Sequence, residues 1–120
     1  MTKRRLVSLI VIGGMAISAS VAAQNWRFLR DAPITFFTPR DVELFRANLR
    51  DALDNAKDGE RRSWSNSASG ASGSVALEQT SHRGETVCRH VRLNNSAKGH
   101  GGFTRKTFCK RPGRDWTVQP

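Results

Sequence analysis

The sequence predicts an α+β domain in which one N-terminal amphipathic helix packs on a four- to five-stranded antiparallel meander sheet. Three observations support this fold class. Apolar residues recur at helical spacing between residues 39 and 58, and apolar and polar residues alternate after Gly59. Turn-forming residues then recur at intervals that suit short antiparallel strands. A helix stripe and one sheet face can therefore share a single core.

The predicted helix covers residues 39–58 and follows a clear start signal. Thr38 is the expected N-cap, and Pro39 occupies the first helical position. The Asp41 carboxylate can accept hydrogen bonds from the free amides of the first turn. Gly59 is the expected stop. The apolar stripe consists of Val42, Phe45, Leu49, Ala52, Leu53 and Ala56. The charged face consists of Glu43, Arg46, Arg50 and Asp54, of which the last two are spaced for an ion pair.

Five strands are predicted after the helix, at residues 61–66, 74–80, 86–94, 103–110 and 116–119. The connections are residues 67–73, 81–85, 95–102 and 111–115, of which only the first and third are long. Alternation places one apolar set on the face that meets the helix: Trp64, Val75, Leu77, Val87, Val91, Leu93, Phe108, Trp116 and Val118.

The first 23 residues have the three-part pattern of a secretory signal peptide. Lys3-Arg4-Arg5 precedes an apolar run at residues 6–17, and Val21-Ala22-Ala23 supplies small residues for cleavage after Ala23. The alternative is an uncleaved membrane anchor, because residues 6–23 have about the length of the shortest spanning helix, roughly 18 residues. Serines and glycines within the run favour cleavage. The predicted organisation is a signal peptide at 1–23, an arm at 24–37 and a domain at 38–120.

Cleavage would leave a small basic exported protein. Removing residues 1–23 leaves 97 residues and lowers the formal net charge from +10 to +7. Such a chain forms one domain with a modest core. The expected location is the periplasm or the medium, with outer-membrane association as an alternative. The aromatic residues of the arm either dock on another envelope protein or cover their own domain: Trp26, Phe28, Phe36 and Phe37.

The two cysteines, Cys88 and Cys109, lie in the exported portion and are predicted to form a disulfide. Two free thiols or a metal site are the alternatives, but His82, His90 and His100 make no recognisable zinc pattern, so no metal and no cofactor are expected.

A bridge between opposed cysteines would fix the strand register. His90 would then face Thr107, and Arg92 would face Arg105, on the side of the sheet away from the core. The same register places Arg89 and Lys106 on the core side, where we expect both to extend past the helix edge to water.

Three stretches of the chain resemble the bacterial seventeen-kilodalton outer-membrane surface antigen family. The first is Trp64-Ser65-Asn66 followed by the turn and valine of Ser69-Gly70-Ala71-Ser72-Gly73-Ser74-Val75. The second is the pair of cysteine-plus-basic dipeptides, Cys88-Arg89 and Cys109-Lys110. The third is the closing Pro112-Gly113-Arg114-Asp115-Trp116. The resemblance covers roughly residue 36 to the end.

The resemblance implies a cell-envelope structural or interaction module without catalytic activity. Members of the family often add a lipidated cysteine and a glycine-zipper segment, and this chain is similar only to their C-terminal domain. A free periplasmic or secreted domain, peripheral to a membrane at most, is therefore expected. The family label names an antigen rather than an activity. It therefore does not identify a partner or an oligomeric state.

Two function classes remain to be weighed on the residues themselves. The first is binding to an anionic envelope polymer through a basic sheet face, with Arg61, His90, Arg92 and Arg105 as candidate contacts. Specific nucleic-acid binding is not expected. The alternative is a small secreted hydrolase of ribonuclease type, with Glu78 as base, His90 or His100 as acid, and Arg92 and Arg105 holding a phosphate. We expect the non-catalytic class, because a function must be argued from a site.

Overall fold

The structure, a computed structural model, describes residues 33–120. The predicted signal peptide, its cleavage site, and Trp26 and Phe28 of the arm lie outside this range. The described chain begins with a short 3-10 helix, Pro33–Phe36, and the helix α1, Pro39–Asn55. Five strands follow: β1 (Arg61–Asn66), β2 (Ala71–Arg83), β3 (Thr86–Ala97), β4 (His100–Lys110) and β5 (Thr117–Val118). They pair in chain order and antiparallel, which confirms the α+β meander.

The N-terminus of α1 confirms the predicted start signal. Thr38 is the N-cap and Pro39 is the first helical residue. The Asp41 amide donates to the Thr38 hydroxyl over 3.2 Å, and the Thr38 amide donates to the Asp41 carboxylate over 2.8 Å. This reciprocal pair is a capping box, which satisfies two amides that have no partner within the helix.

The helix ends at Asn55 rather than at residue 58. Ala56 is the C-cap, and its amide makes the last helical hydrogen bond, to the carbonyl oxygen of Ala52 over 3.0 Å. Gly59, the predicted stop, instead adopts a φ of 87° in the turn that leads into β1. Its amide donates to the carbonyl oxygen of Leu77 over 2.7 Å. This hydrogen bond attaches the segment between α1 and β1 to strand β2.

An arginine from β3 closes the C-terminal end of α1. Arg89 donates from Nη1 to the carbonyl oxygens of Ala52 and Leu53, and from Nη2 to that of Ala56. The last carbonyls of a helix lack helical partners and carry partial negative charge, so a guanidinium group suits this position. The expectation that Arg89 would extend to water is wrong, because the residue is only 8% exposed. Lys106 is exposed, as expected.

Two adjoining clusters form the core between α1 and one face of the sheet. The first contains Ala52, Leu53, Ala56, Val75, Leu77, Val91 and Leu93, with Phe45, Leu49, Phe108 and Trp116 packed against it. The second contains Trp64, Ala71 and Ala97, with Phe36, Phe37, Leu44 and Phe45 around it. The arm residues Phe36 and Phe37 therefore cover their own domain. Val118 was expected in the core but is 56% exposed, because β5 is only two residues long at the sheet edge.

Strands β2, β3 and β4 extend further than predicted, so the two connections expected to be long are tight turns. β2 begins at Ala71, and only Lys98 and Gly99 separate β3 from β4. Serine, asparagine and glycine disfavour strands, which is why the sequence pattern indicated loops there. Here these polar residues pair along the sheet, with Ser72 opposite Ser96 and Gly73 opposite Asn95.

The disulfide and the register deduced from it are confirmed. Cys88 and Cys109 are bridged, with their Cα atoms 4.1 Å apart, and they oppose each other on β3 and β4. Both cysteines are used by this bond, which excludes the alternatives of free thiols and a cysteine metal site. His90 lies opposite Thr107 and Arg92 lies opposite Arg105, as predicted.

Candidate functional site

Charge is divided unevenly between the helix and the sheet. Residues 33–60 contain four basic and six acidic residues, whereas residues 61–120 contain eleven basic and three acidic residues. The helical part therefore has a formal charge of −2 and the sheet part a formal charge of +8. The positive charge of the domain thus lies in the sheet part. We define the outer face as the side of the sheet opposite α1.

Three of the candidate arginines lie in one row across the outer face. Arg61 on β1 is opposite Ala76 on β2, Ala76 is opposite Arg92 on β3, and Arg92 is opposite Arg105 on β4. We call this set, with Ala76, the arginine row. His90 occupies the neighbouring row, between Gln79 and Thr107. The four predicted candidates thus share one surface.

An aromatic ring lies beside the two facing arginines. The guanidinium carbon of Arg92 is 4.0 Å from the centre of the Phe103 ring, and that of Arg105 is 5.6 Å from it. Cations are attracted to the face of an aromatic ring. Arg105 also donates from Nε to Glu78 over 3.0 Å. Glu78 and Phe103 together offset the repulsion expected between the two guanidinium groups.

Arg61 and Arg92 form no ion pair within residues 33–120. The Arg92 Nε atom is buried without a hydrogen-bond partner among the described residues. These two positive charges are therefore not neutralised by the part of the domain that the structure describes.

A depression of about 560 Å³ opens on the outer face between the arginine row and the disulfide. Glu78, His90, Arg105 and Thr107 are among the residues that line it. The His90 ring makes a 2.8 Å hydrogen bond through Nδ1 to the Thr107 hydroxyl, and the Glu78 carboxylate accepts from Arg105.

The hydrolase alternative gains no support from this grouping. The depression brings Glu78 and His90 onto one surface, but the carboxylate proposed as base already accepts a hydrogen bond from Arg105. His100, the other candidate acid, does not line the depression and instead stacks on Phe36 with ring centres 4.4 Å apart. His82 is exposed near the end of β2.

Sequence reasoning missed a second group of cations near the disulfide. Arg83, Lys110, Arg111 and Arg114 line a depression of about 500 Å³ that also includes both cysteines. None of the four forms an ion pair within the described residues. Arg83 is the last residue of β2, while Arg111 and Arg114 lie in the turn before β5. Strand pairing could not predict this group, because the turn conformation sets where Arg111 and Arg114 lie.

The first motif of the resemblance joins the β1–β2 turn to the start of α1. Asn66 Nδ2 and Ser69 Oγ each donate to Asp41 Oδ1 over 2.7 Å. Asp41 is fully buried, and burial by itself would raise its pKa. The hydrogen bonds from Ser69, Thr38 and Asn66 outweigh that effect and hold the pKa of Asp41 at about 2. The carboxylate is therefore a structural anion.

The third motif of the resemblance holds the C-terminal segment against helix α1. Gly113, with a φ of 71°, turns the chain so that Asp115 pairs with Arg50 over 2.9 Å. Trp116 Nε1 donates to Asp54 over 2.8 Å. The predicted pair between Arg50 and Asp54 is wrong, because each has a partner in the C-terminal segment instead.

Two further findings bear on the kind of site. Among residues 33–120, no group of three or more histidine, cysteine, aspartate or glutamate side chains is arranged to hold a metal ion. Within the same residues, no helix has the length and apolar character needed to cross a membrane.

Comparison with known proteins identifies a family. No curated protein and no solved structure matches the chain significantly. The model of a family described as 17 kDa outer membrane surface antigen matches residues 51–117, from the last turns of α1 to β5. The match includes both cysteines and all three stretches on which the resemblance rests. The chain therefore belongs to the 17 kDa outer membrane surface antigen family.

Proposed function

We propose that the protein is an exported, non-catalytic domain of the cell envelope that binds anionic envelope polymers through the outer face of its sheet. The observation on which this proposal depends is a set of arginines, on the outer face and around the disulfide, that form no ion pair within residues 33–120. Arg61 and Arg92 belong to the arginine row, and Arg83, Arg111 and Arg114 surround the disulfide. The family description indicates the envelope as the place where such a surface would act.

The contrast between two sets of basic residues supports this function. Arg50 and Arg89 have partners in the fold: Arg50 pairs with Asp115, and Arg89 closes the helix C-terminus. Their charges are used to hold α1 against the sheet. Within residues 33–120, the side chains of Arg61, Arg83 and Arg114 make no hydrogen bond or ion pair, so the described fold does not account for these charges.

The separation of charge also favours one orientation of the domain near a charged surface. An acidic helix side and a basic sheet side make a dipole that turns the outer face toward a negatively charged surface. Contacts between exposed charges are screened by salt over about 8 Å at physiological ionic strength. Binding by this face should therefore weaken steeply as salt is added.

The test is a binding titration with inorganic polyphosphate and with lipopolysaccharide, repeated between about 50 and 200 mM salt. Arg92→Gln/Arg105→Gln removes two charges from the arginine row and should lower both affinities by about tenfold or more at the lower salt concentration. Arg46→Gln/Lys57→Gln removes the same charge from the helix and its connection, and should retain nearly the parent affinity. A thermal melt establishes that each variant is folded.

Equal losses in the two variants would show that binding follows net charge and would overturn the role of the outer face. Binding that is absent, or that is insensitive to salt, would overturn the proposed function. Arg61→Gln gives a further measurement at an exposed position on an edge strand, where the risk to folding is smallest.

The proposal includes export by a cleaved signal peptide, on the sequence pattern of residues 1–23. Protein isolated from the envelope fraction should begin at Gln24 by intact mass. A species that retains residues 1–23 would instead support the membrane-anchor alternative.

A further inference from the structure

A third depression, of about 500 Å³, lies next to the arginine row on the outer face. Its lining differs from the basic depressions near the disulfide because it is formed mainly by hydroxyl and amide side chains. Ser63, Ser74 and Asn94 lie opposite one another on β1, β2 and β3, and Phe103 continues this row on β4. We call this depression the serine groove. Arg61 is its only charged lining residue in the described part of the chain.

Three polar side chains of the serine groove are not used by the described part of the fold. The side chains of Ser63, Ser74 and Asn94 make no hydrogen bond to any other residue within residues 33–120. Their main chains pair in the sheet, which holds the three side chains on one face at the strand spacing of about 4.8 Å. The groove therefore presents a fixed set of free donors and acceptors.

Phe103 adds an apolar surface to this polar set. It is 55% exposed, although large apolar side chains beside a small core are usually recruited into it. The Arg92 guanidinium lies over its ring, and the ring also lines the groove. The groove therefore combines an exposed aromatic ring with several hydroxyl and amide groups.

Sugar rings fit this combination of groups. A pyranose offers a ring of hydroxyls that pair with serine and asparagine side chains, and a patch of C–H bonds that packs on an aromatic face. Arg61 and Arg92, at the edge of the groove, suit a negatively charged substituent on the same chain. A polymer of phosphate groups alone would use the arginines and leave the serines, Asn94 and Phe103 without contacts.

We propose that the serine groove binds sugar rings of an anionic glycan whose charged substituents contact the arginine row. This proposal rests on the proposed function, because it names the class of anionic polymer that the outer face binds. It adds a contact that does not depend on charge and that a simple polyanion cannot make.

Dextran sulfate and inorganic polyphosphate, compared at equal concentrations of anionic groups, separate the two contributions. Ser63→Leu places an apolar side chain over the groove without altering any charge, and should lower the affinity for dextran sulfate by about tenfold while that for polyphosphate stays within about twofold. Asn94→Ala should act in the same direction. Ser65→Leu is the matched control, because Ser65 is also exposed on the outer face of β1 but does not line the groove.

The outcomes distinguish this proposal from the proposed function. If both polymers bind in a salt-dependent manner but Ser63→Leu affects them equally or not at all, the outer face is a general polyanion surface and the glycan site is refuted. If neither polymer binds, the proposed function fails as well. Selective loss of dextran sulfate binding in Ser63→Leu, with Ser65→Leu like the parent, supports the glycan site.

Discussion

The Arg89 guanidinium donates from Nη1 to the carbonyl oxygen of Leu53 over 2.8 Å, so a residue of strand β3 caps the end of helix α1. Arg89→Met should lower the free energy of unfolding by about 2–4 kcal/mol, because it leaves buried helix carbonyls without a donor. Arg89→Lys should give an intermediate loss, since an ammonium group lacks the planar fork that reaches several carbonyls. The measurement is the denaturant midpoint.

Lys106→Met is the control for this change. Lys106 lies on β4 opposite Val91, and it is exposed. The same substitution there should alter stability by less than about 0.5 kcal/mol. A midpoint for Arg89→Met equal to that of Lys106→Met would contradict the capping role.

Gly73→Ala should destabilise the domain because there is no room for a side chain at this position. A Cβ atom there would lie 2.5 Å from Trp64 Nε1, 2.5 Å from Asn95 Oδ1 and 2.8 Å from the main-chain oxygen of Asn94. We expect a loss of about 1–3 kcal/mol in a urea titration, as for overpacking in a core. At Gly101 an added Cβ meets no atom within 4 Å. Gly101→Ala should therefore be nearly neutral, and equal effects at the two glycines would refute the packing argument.

Stability should fall in acid because of Asp41. Its pKa is about 2 in the folded protein, below its ordinary value of 3.8. The native state therefore binds fewer protons than the unfolded state in this range, and the stabilisation is present above about pH 4 and is lost as the pH falls toward 2. In Asp41→Asn this part of the pH dependence should disappear, although the variant is less stable at neutral pH. Urea midpoints from pH 2 to pH 6 measure the slope.

Glu43→Gln is the control for the acid limb. It changes an exposed carboxylate on the first turns of the same helix, and its midpoints should follow those of the parent. If Asp41→Asn retains the full slope, the carboxylate that controls acid stability lies elsewhere.

The periodic parts of the fold could be predicted from the sequence. Helical spacing and the Thr38–Pro39 signal identified the start of α1, and pairing of the two cysteines fixed the register of β3 against β4. This register in turn placed Arg92 opposite Arg105, because pairing along a hairpin follows from one known pair. Arg61 joined the same row through β2, which depends on pairings that no sequence signal specified.

What could not be predicted depends on contacts between distant residues. The role of Arg89 depends on where the helix ends relative to β3, and periodicity does not locate a helix end within a turn. The full extent of the serine groove could not be predicted, because Ser72, Asn95 and Ser96 fell in the predicted loops 67–73 and 95–102, where serine, asparagine and glycine favour turns. These residues pair as strands because the flanking Ala71 and Ala97 are buried in the core.

The last prediction concerns the disulfide between Cys88 and Cys109, which spans 21 residues of sequence across the β3–β4 hairpin. A closed loop of this size stabilises a protein by about 3 kcal/mol, mainly by restricting the unfolded chain. Reduction should therefore lower the melting temperature by roughly 10–20 °C for a domain of this size. The domain should still be folded at room temperature, because α1 and the core clusters do not depend on the bridge.

Cys88→Ser/Cys109→Ser is the control for effects of the reductant itself. The variant should melt near the temperature of the reduced parent and should not respond to added reductant. The bridge joins neighbouring strands at one end of the outer face. Its loss should therefore weaken polyphosphate binding only if the end of the β3–β4 hairpin unfolds. Full alkylation of both cysteines in native protein isolated without reductant would show that the bond is absent. A melting temperature that reduction leaves unchanged would show instead that the bond forms but does not constrain the unfolded chain.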